Sequence, residues 1–82
     1  MDTPQRLHAH QGHVRTLNWS SDARFLATGG DDGILAVWYP KQSQTPLFKI
    51  PHNAPVLAVA WSADNQLVAV ASGNTVTIYR LQ

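Results

Sequence analysis

Four histidines and two adjacent aspartates are the side chains of this 82-residue sequence with the clearest chemical potential. His8, His10 and His13 stand close together, and alternate residues of a strand would place two of these imidazoles on one face, as a metal site requires. Asp31 and Asp32 form a carboxylate pair of the kind that serves acid/base or cation chemistry. Each pattern also has a structural explanation, which depends on the elements that carry these residues.

Other reactive or charged patterns are absent from the sequence. No glycine-rich phosphate loop opens a helix, and no serine, histidine and aspartate stand in a recognisable hydrolase arrangement. A formal charge of +1, without any run of like charges, argues against nucleic acid and anionic lipid as partners. Cysteine is absent, so neither disulfides nor thiolate sites can support the fold. We therefore expect no enzyme, no cofactor and no bound metal.

Length and composition predict one globular unit over residues 1–82. The sequence is 44% hydrophobic and 13% charged, as in ordinary globular domains. Its first ten residues, MDTPQRLHAH, lack the apolar core of a secretory signal, and no apolar stretch approaches the roughly 18 residues of a membrane span. We therefore expect a cytoplasmic chain.

The sequence repeats itself at an offset of 42 residues. The segment HQGHVRTLNWSSDARFLA aligns without a gap with HNAPVLAVAWSADNQLVA, and one residue is lost before VWYP meets IYRL. Each repeat consists of short β-rich runs between polar breaks, and no segment has helical periodicity. A repeat of this length with four strands is typical of a β-propeller blade. We divide the chain into blade repeats of about 5–45 and 46–82.

The breaks between the runs predict eight strands, four in each repeat. Ser-Ser-Asp-Ala and Ser-Ala-Asp-Asn favour Asx and type I turns, and Asp32-Gly33 and Gly73-Asn74 suit tight hairpins. Prolines flank the fifth strand, which should therefore lie at the edge of its sheet. The predicted strands are Gln5–His10, Val14–Ser20, Phe25–Gly29, Ile34–Tyr39, Leu47–Pro51, Val56–Ser62, Leu67–Ser72 and Thr75–Leu81.

The first repeat resembles the WD-repeat family of β-propellers. His10 stands at the family's histidine, Val14 and Trp19 match its inner strand, and LATGGDDGILAVWY matches its closing stretch. The sequence departs from the family pattern at Ala9, where the family has glycine, and at Tyr39, where it has aspartate. The resemblance covers nearly the whole chain and implies an all-β fold of two four-stranded antiparallel blades. Such blades complete a closed propeller by oligomerisation or as part of a longer protein.

The resemblance also implies a structural hydrogen-bond tetrad in the first repeat. Its members would be His10, Thr28, Asp32 and Trp38. A buried indole N–H needs an acceptor, a hydroxyl can accept and donate at once, and an imidazole can pass the chain on to a carboxylate. In the second repeat His52 remains, but Val70 and Tyr79 replace the threonine and the tryptophan. We expect that repeat to hold by apolar packing and sheet hydrogen bonds.

A protein-binding face is a further implication of the resemblance. Partners of the family dock on the loops that enter the inner strand and on the hairpins between the second and third strands. In this chain those positions are Gln11, His13, Arg15 and Asp31 in the first repeat, with Asn53, Pro55 and Leu57 in the second. A solvated rim is the alternative interpretation for each of them. The leading hypothesis is a non-catalytic scaffold for a protein or peptide.

Two other functional hypotheses stay open. One is a self-assembling architectural fragment or engineered building block without a ligand of its own, and the more remote one is a histidine metal site on the propeller face. The strand order leaves the last blade without its own outer strand, so we expect a second copy to supply Gln5–His10. Propellers usually close with 4 to 8 blades. We favour a tetramer with eight blades over a trimer with six.

Overall fold

Seven β-strands and the turns between them make up the chain in a computed structural model, which describes residues 4–81. Positions 1–3 and 82 of the predicted unit lie outside the described residues. Seven of the eight predicted strands are present, with ends that differ by at most one residue. The strands are β1 (Val14–Trp19), β2 (Leu26–Gly30), β3 (Ile34–Trp38), β4 (Phe48–Pro51), β5 (Val56–Trp61), β6 (Leu67–Ser72) and β7 (Thr75–Arg80). Residues 4–81 contain no helix long and apolar enough to cross a membrane.

The strands form two antiparallel sheets, which confirms the predicted all-β fold class. The first sheet has the order β1-β2-β3-β4 and the second has the order β5-β6-β7. β4 lies at the edge of the first sheet, as its flanking prolines predict. The pairs β1-β2 and β5-β6 carry a register irregularity at equivalent places, after Val14 and after Val56. The two sheets are therefore copies of one blade.

The strand predicted over Gln5–His10 is not formed, and that prediction is wrong for the chain by itself. Leu7 and Ala9 instead pack on the face of the first sheet, against a buried cluster that includes Trp38. The face of a sheet offers side chains rather than free backbone N–H and C=O groups, so the segment finds no ladder partner there. Within residues 4–81 the second sheet has three strands.

The same turn closes the first hairpin of each sheet. In the first sheet the Ser20 hydroxyl donates to Oδ1 of Asp22 at 2.6 Å and accepts the N–H of Phe25 at 3.0 Å. The equivalent residues of the second sheet make the same two bonds, again at 2.6 and 3.0 Å. Each turn holds one residue at positive φ, which is Ala23 at 61° in the first and Asn65 at 63° in the second. This backbone suits asparagine and strains alanine.

One apolar core joins the two sheets. Its buried members are Ala27, Leu35, Val37, Val56, Val59, Val68 and Val70. The sheets approach closely at Gly29, where an added Cβ would overlap the side chain of Val56. The indole N–H of Trp61 donates to the carbonyl of Asn18 at 2.8 Å and so links the inner strands β1 and β5. Burial of each large side chain in this core contributes about 1.5 to 3 kcal/mol.

Each sheet also has a face that the other sheet does not cover. This face of the first sheet, called the Trp19 face below, consists of Leu17, Trp19, Leu26, Thr28, Ala36 and Trp38, and Leu7 and Ala9 pack on part of it. The uncovered face of the second sheet, called the alanine face below, consists of Ala58, Ala60, Ala69, Ala71, Val76 and Ile78. Leu17, Val76 and Ile78 are 59%, 69% and 62% exposed. Both faces therefore leave large apolar side chains in water.

Candidate functional site: the tetrad and the loop face

Three hydrogen bonds link the four tetrad residues of the first blade. The indole N–H of Trp38 donates to the Thr28 hydroxyl at 3.0 Å. The hydroxyl oxygen of Thr28 lies 2.7 Å from Nε2 of His10, and Nδ1 of His10 lies 3.2 Å from Oδ1 of Asp32. Because an ionised carboxylate can only accept, the network assigns the imidazole proton to Nδ1, and Nε2 then accepts from the hydroxyl. The result is a directed series of hydrogen bonds from the indole to the carboxylate.

Sheet register and hairpin geometry bring these side chains together. Thr28 on β2 and Trp38 on β3 share the Trp19 face, one diagonal step apart across the strand pair. The hairpin that follows β2 carries Asp32, and Gly33 adopts a φ of 76° there. Residues with a Cβ rarely adopt this conformation, so the hairpin depends on glycine to direct Asp32 towards His10.

Neighbouring donors hold the Asp32 carboxylate in its ionised form. Burial acts to raise the pKa of Asp32, but bonds from the backbone N–H groups of Gln11 and Ile34 and from His10 outweigh it, so the pKa lies below its usual value. Among residues 4–81, no buried side-chain nitrogen or oxygen lacks a hydrogen-bond partner. The polar groups of the tetrad are thus all engaged, and Asp32 extends the network to the backbone of Gln11 in the loop before β1.

In the second blade a single hydrogen bond replaces the hydrogen-bond network of the tetrad. Val70 occupies the position of Thr28, but the longer side chain of Tyr79 brings its hydroxyl to 3.1 Å from Nε2 of His52. The expectation that this blade holds only by apolar packing and sheet hydrogen bonds is therefore wrong. The sequence contained the signal, because Tyr79 aligns with Trp38 and carries its polar group farther from the backbone.

The loops before the inner strands and the hairpins after β2 and β6 lie at one end of the sheets, called the loop face below. Arg15 donates through Nε and Nη2 to the two carboxylate oxygens of Asp31, at 2.8 and 2.7 Å. Nδ1 of His13 lies 3.8 Å from the same carboxylate. Hydrogen bonding from Arg15 lowers the pKa of Asp31. The structure thus brings these three residues together, whereas Gln11 is exposed and binds Asp32 through its backbone N–H.

The second-blade part of the loop face lacks this ion pair. Leu57, which is 56% exposed, stands at the position of Arg15, and a glycine stands at the position of Asp31. Pro55 is also exposed. Asn53 lines an open pocket of about 350 Å³ between the loop before β5 and the β6-β7 hairpin. The loop face is therefore charged over the first blade and uncharged over the second.

In the described part of the chain, His10 and His13 each lie beside a different aspartate of the pair and do not gather in one site. Within residues 4–81, no group of three or more His, Cys, Asp or Glu side chains could hold a metal ion. His10 uses both ring nitrogens in the tetrad. Asp31 and Asp32 bind different partners, Arg15 and His10, so they do not form a carboxylate pair. That the protein needs no metal stays a prediction.

A comparison with protein families matches both blades. The family model described as "WD domain, G-beta repeat" matches residues 2–39 and 44–80. The chain therefore belongs to the WD-repeat family.

Several curated proteins and a solved structure are similar to the chain. The B-type cell cycle switch protein ccs52B of Medicago truncatula is 40% identical over 70 residues, which cover 85% of this chain and 14% of that protein. Protein FIZZY-RELATED 1 of Arabidopsis thaliana is 38% identical over 74 residues, covering 90% of this chain and 16% of that protein. A chain in the crystal structure of the Mitotic Checkpoint Complex superposes with a TM-score of 0.85 at 34% identity, covering 90% of this chain and 24% of that one. The chain thus spans a small part of the length of these relatives.

Proposed function

We propose that the chain presents its loop face as a non-catalytic docking surface for a protein or peptide in the cytoplasm. The observation that carries this proposal is the bidentate pair of Arg15 and Asp31. Asp31 fixes the guanidinium plane, while 49% of the Arg15 side chain stays exposed. The remaining guanidinium N–H donors therefore keep a set direction and can bind a carbonyl or carboxylate oxygen with little further loss of rotamer freedom.

The second blade adds an apolar contact to the same face. Leu57 is exposed at the position equivalent to Arg15, so one extended partner segment can place an acceptor over the first blade and an apolar side chain over the second. The relatives support a protein partner, because the similar structural chain is part of a checkpoint complex. The fully bonded tetrad supports a structural rather than a catalytic role for His10 and Asp32.

Binding by immobilised variants tests this proposal. Arg15→Ala removes the oriented donor, and Arg80→Ala is the matched control, because Arg80 is also exposed but ends β7 at the opposite end of the sheets. Proteins from a lysate of the source organism are quantified on each surface by mass spectrometry. We expect a set that is retained by wild type and by Arg80→Ala and lost on Arg15→Ala. Identical retained sets on all three surfaces contradict the proposal.

A second candidate function is architectural, and the two uncovered sheet faces favour it. We propose that residues 1–82 act as one unit of two blade repeats, about 5–45 and 46–82, and that copies of this unit assemble. The preferred particle is a tetramer with eight blades, ahead of a trimer with six. Light scattering measures its mass directly, since each chain contributes 9.0 kDa.

A further inference from the structure

The tetrad carboxylate of the first blade uses both of its oxygens to join a hairpin to a loop. Oδ1 of Asp32 lies 3.2 Å from Nδ1 of His10, and Oδ2 accepts the backbone N–H of Gln11 at 3.0 Å. The two donors belong to consecutive residues of the loop before β1. Such a pair of donors suits a carboxylate, because each oxygen of an ionised carboxyl group can accept one of the bonds.

The second blade has the counterparts of both donors but no carboxylate in its hairpin. The repeat offset of 42 places His52 and Asn53 at the two donor positions. The β6-β7 hairpin has two turn residues, Gly73 and Asn74, where the β2-β3 hairpin has three. Glycine has no side chain, and the Asn74 side chain accepts the Thr75 hydroxyl at 3.4 Å instead of bonding to His52. The acceptor that the first blade supplies is therefore lost with the shorter turn.

Both donors of the second blade are open to a group from outside. Within residues 4–81, the single hydrogen bond of the His52 side chain joins Nε2 to the Tyr79 hydroxyl, and the backbone N–H of Asn53 donates to no group. No buried side-chain nitrogen in this part of the chain lacks a partner, so Nδ1 of His52, which has none, is exposed to solvent. An acceptor that enters from solvent can therefore reach it.

An open pocket of about 350 Å³ on the loop face leads to these donors. His52, Asn53 and Asn74 are among the residues that line it. The pocket is large enough for the side chain of an aspartate or a glutamate. Of the described residues that line it, none is acidic, so no carboxylate in its wall repels an anion.

The opening of this pocket does not depend on the absence of a neighbouring blade or strand. The preceding blade is in contact with its wall, since an added Cβ at Gly33 would overlap the carbonyl oxygen of His52. The effect of an outer strand is seen in the first blade, where β4 pairs with β3. The equivalent place there is still a pocket, of about 270 Å³, lined by Gln11 and Asp32 among others.

We propose that this pocket binds the carboxylate of an aspartate or glutamate side chain of the partner, which takes the position of the tetrad aspartate in the second blade. Nδ1–H of His52 donates to one oxygen, and the N–H of Asn53 donates to the other. Nε2 of His52 then accepts the hydroxyl of Tyr79, as Nε2 of His10 accepts that of Thr28. This inference rests on the proposed function and names the chemistry that the loop face selects over the second blade.

A replacement of the hairpin supplies the carboxylate from the chain itself. Exchange of Gly73-Asn74 for Asp-Asp-Gly copies the turn of the first blade, and exchange for Asp-Asn-Gly is the control of equal length. We expect Tm to be about 4 °C or more higher for Asp-Asp-Gly than for the control, because the two donors gain an ionised acceptor. Equal Tm values for the two replacements would overturn the assignment of these donors to a carboxylate.

Acetate tests the same contact in the unaltered chain by NMR. The amide resonance of Asn53 and the imidazole resonances of His52 are followed during titration with sodium acetate, and sodium chloride at equal ionic strength is the control. We expect saturable shifts of both groups with acetate alone, while the exposed His8 does not respond. Shifts that do not saturate, or that His8 shares, contradict a carboxylate site.

Peptide arrays distinguish an acidic side chain of a partner from a small free carboxylate. The arrays carry random peptides with Asp, Glu, Asn or Gln at the centre, and bound wild-type chain, Asp-Asp-Gly replacement and Arg15→Ala are compared. We expect the wild type to bind acidic-centred peptides about fivefold or more better than amide-centred ones. Because Arg15 is intact in the hairpin replacement, loss of the preference there and its persistence in Arg15→Ala assign the acid to the pocket.

The other outcomes separate this inference from the proposed function. A preference that Arg15→Ala loses and the Asp-Asp-Gly replacement keeps overturns the pocket and leaves docking on the loop face intact. Saturable acetate binding without any preference among the peptides overturns the acidic side chain as the ligand. If the wild type binds no peptide of either kind, docking on the loop face is contradicted, and the inference about the pocket falls with it.

Discussion

Replacement of Thr28 by valine removes one hydroxyl, keeps the shape of the side chain and so tests the tetrad directly. In the wild type this hydroxyl accepts the indole N–H of Trp38 at 3.0 Å and lies 2.7 Å from Nε2 of His10. Trp38 is 1% exposed and the His10 side chain is 5% exposed, so neither group can turn to bulk water. The substitution therefore leaves the indole N–H of Trp38 and Nε2 of His10 without a bond.

An orphaned buried donor or acceptor costs about 1 to 3 kcal/mol. The Trp38 N–H loses its single bond, whereas His10 keeps its bond to Asp32. We expect Thr28→Val to lower the free energy of unfolding by about 2 kcal/mol, which is a fall in Tm of about 8 to 16 °C for a domain of this size. Thr28→Ala should cost about 0.8 kcal/mol more, because a methyl group is also lost.

Urea and thermal melts measure these changes. Thr75→Val is the matched control, since Thr75 is an exposed strand residue and should change stability by less than about 0.5 kcal/mol. In a Trp38→Phe background the indole N–H is gone, so Thr28→Val should cost about 1 kcal/mol less than in the wild type. Equal losses of stability for Thr28→Val and Thr75→Val would refute the orphaned N–H as the cause. An equally large loss for Thr28→Val in the Trp38→Phe background would refute it as well.

Four other perturbations probe the fold and its chemistry. Gly29→Ala should destabilise by about 1 to 3 kcal/mol in urea melts, because its Cβ would overlap Val56, and Val56→Ala in the same chain should restore part of the loss. Ala23→Asn should stabilise by about 0.5 to 1 kcal/mol, because the φ of 61° matches that of Asn65, and an unchanged Tm would count against this reason. The pKa of Asp32 is lower in the folded state than in the unfolded state, so its ionisation contributes stability above the unfolded-state pKa, and this stability is lost as pH falls through the folded-state pKa. The free energy of unfolding should therefore decline below about pH 4, and Asp32→Asn should flatten that decline. A chelator should leave Tm unchanged, since only a ligand that favours the folded state shifts it, and a drop would reveal a bound metal.

The strands could be predicted because short-range chemistry determines them. Val-rich runs and Asx-type turns fix seven of the strands to within one residue of their ends. Gln5–His10 has a similar pattern, but a strand also needs a neighbouring edge, which is a property of the whole sheet arrangement. The segment therefore shows the limit of local reasoning, since its composition is satisfied equally well by packing on a sheet face.

Some side-chain contacts could likewise be predicted from the sequence and others could not. The tetrad could be expected from residue types together with the family resemblance. Arg15 and Asp31 are sixteen residues apart, and their contact depends on the register in which Val14 lies opposite Gly30. No property of either residue alone determines that register. The sequence therefore placed both on the loop face without revealing that they bind each other.

The tetrad also supports the proposed docking role, because its hydrogen bonds reach the loops that form the loop face. Asp32 accepts the backbone N–H of Gln11, so the chain of bonds that starts at Trp38 ends by fixing the loop before β1. Asp31 is the preceding residue of the same hairpin, and its carboxylate orients Arg15. If the loop face binds a partner as proposed, this network orients the exposed guanidinium before binding, and a preformed surface loses less conformational entropy on binding.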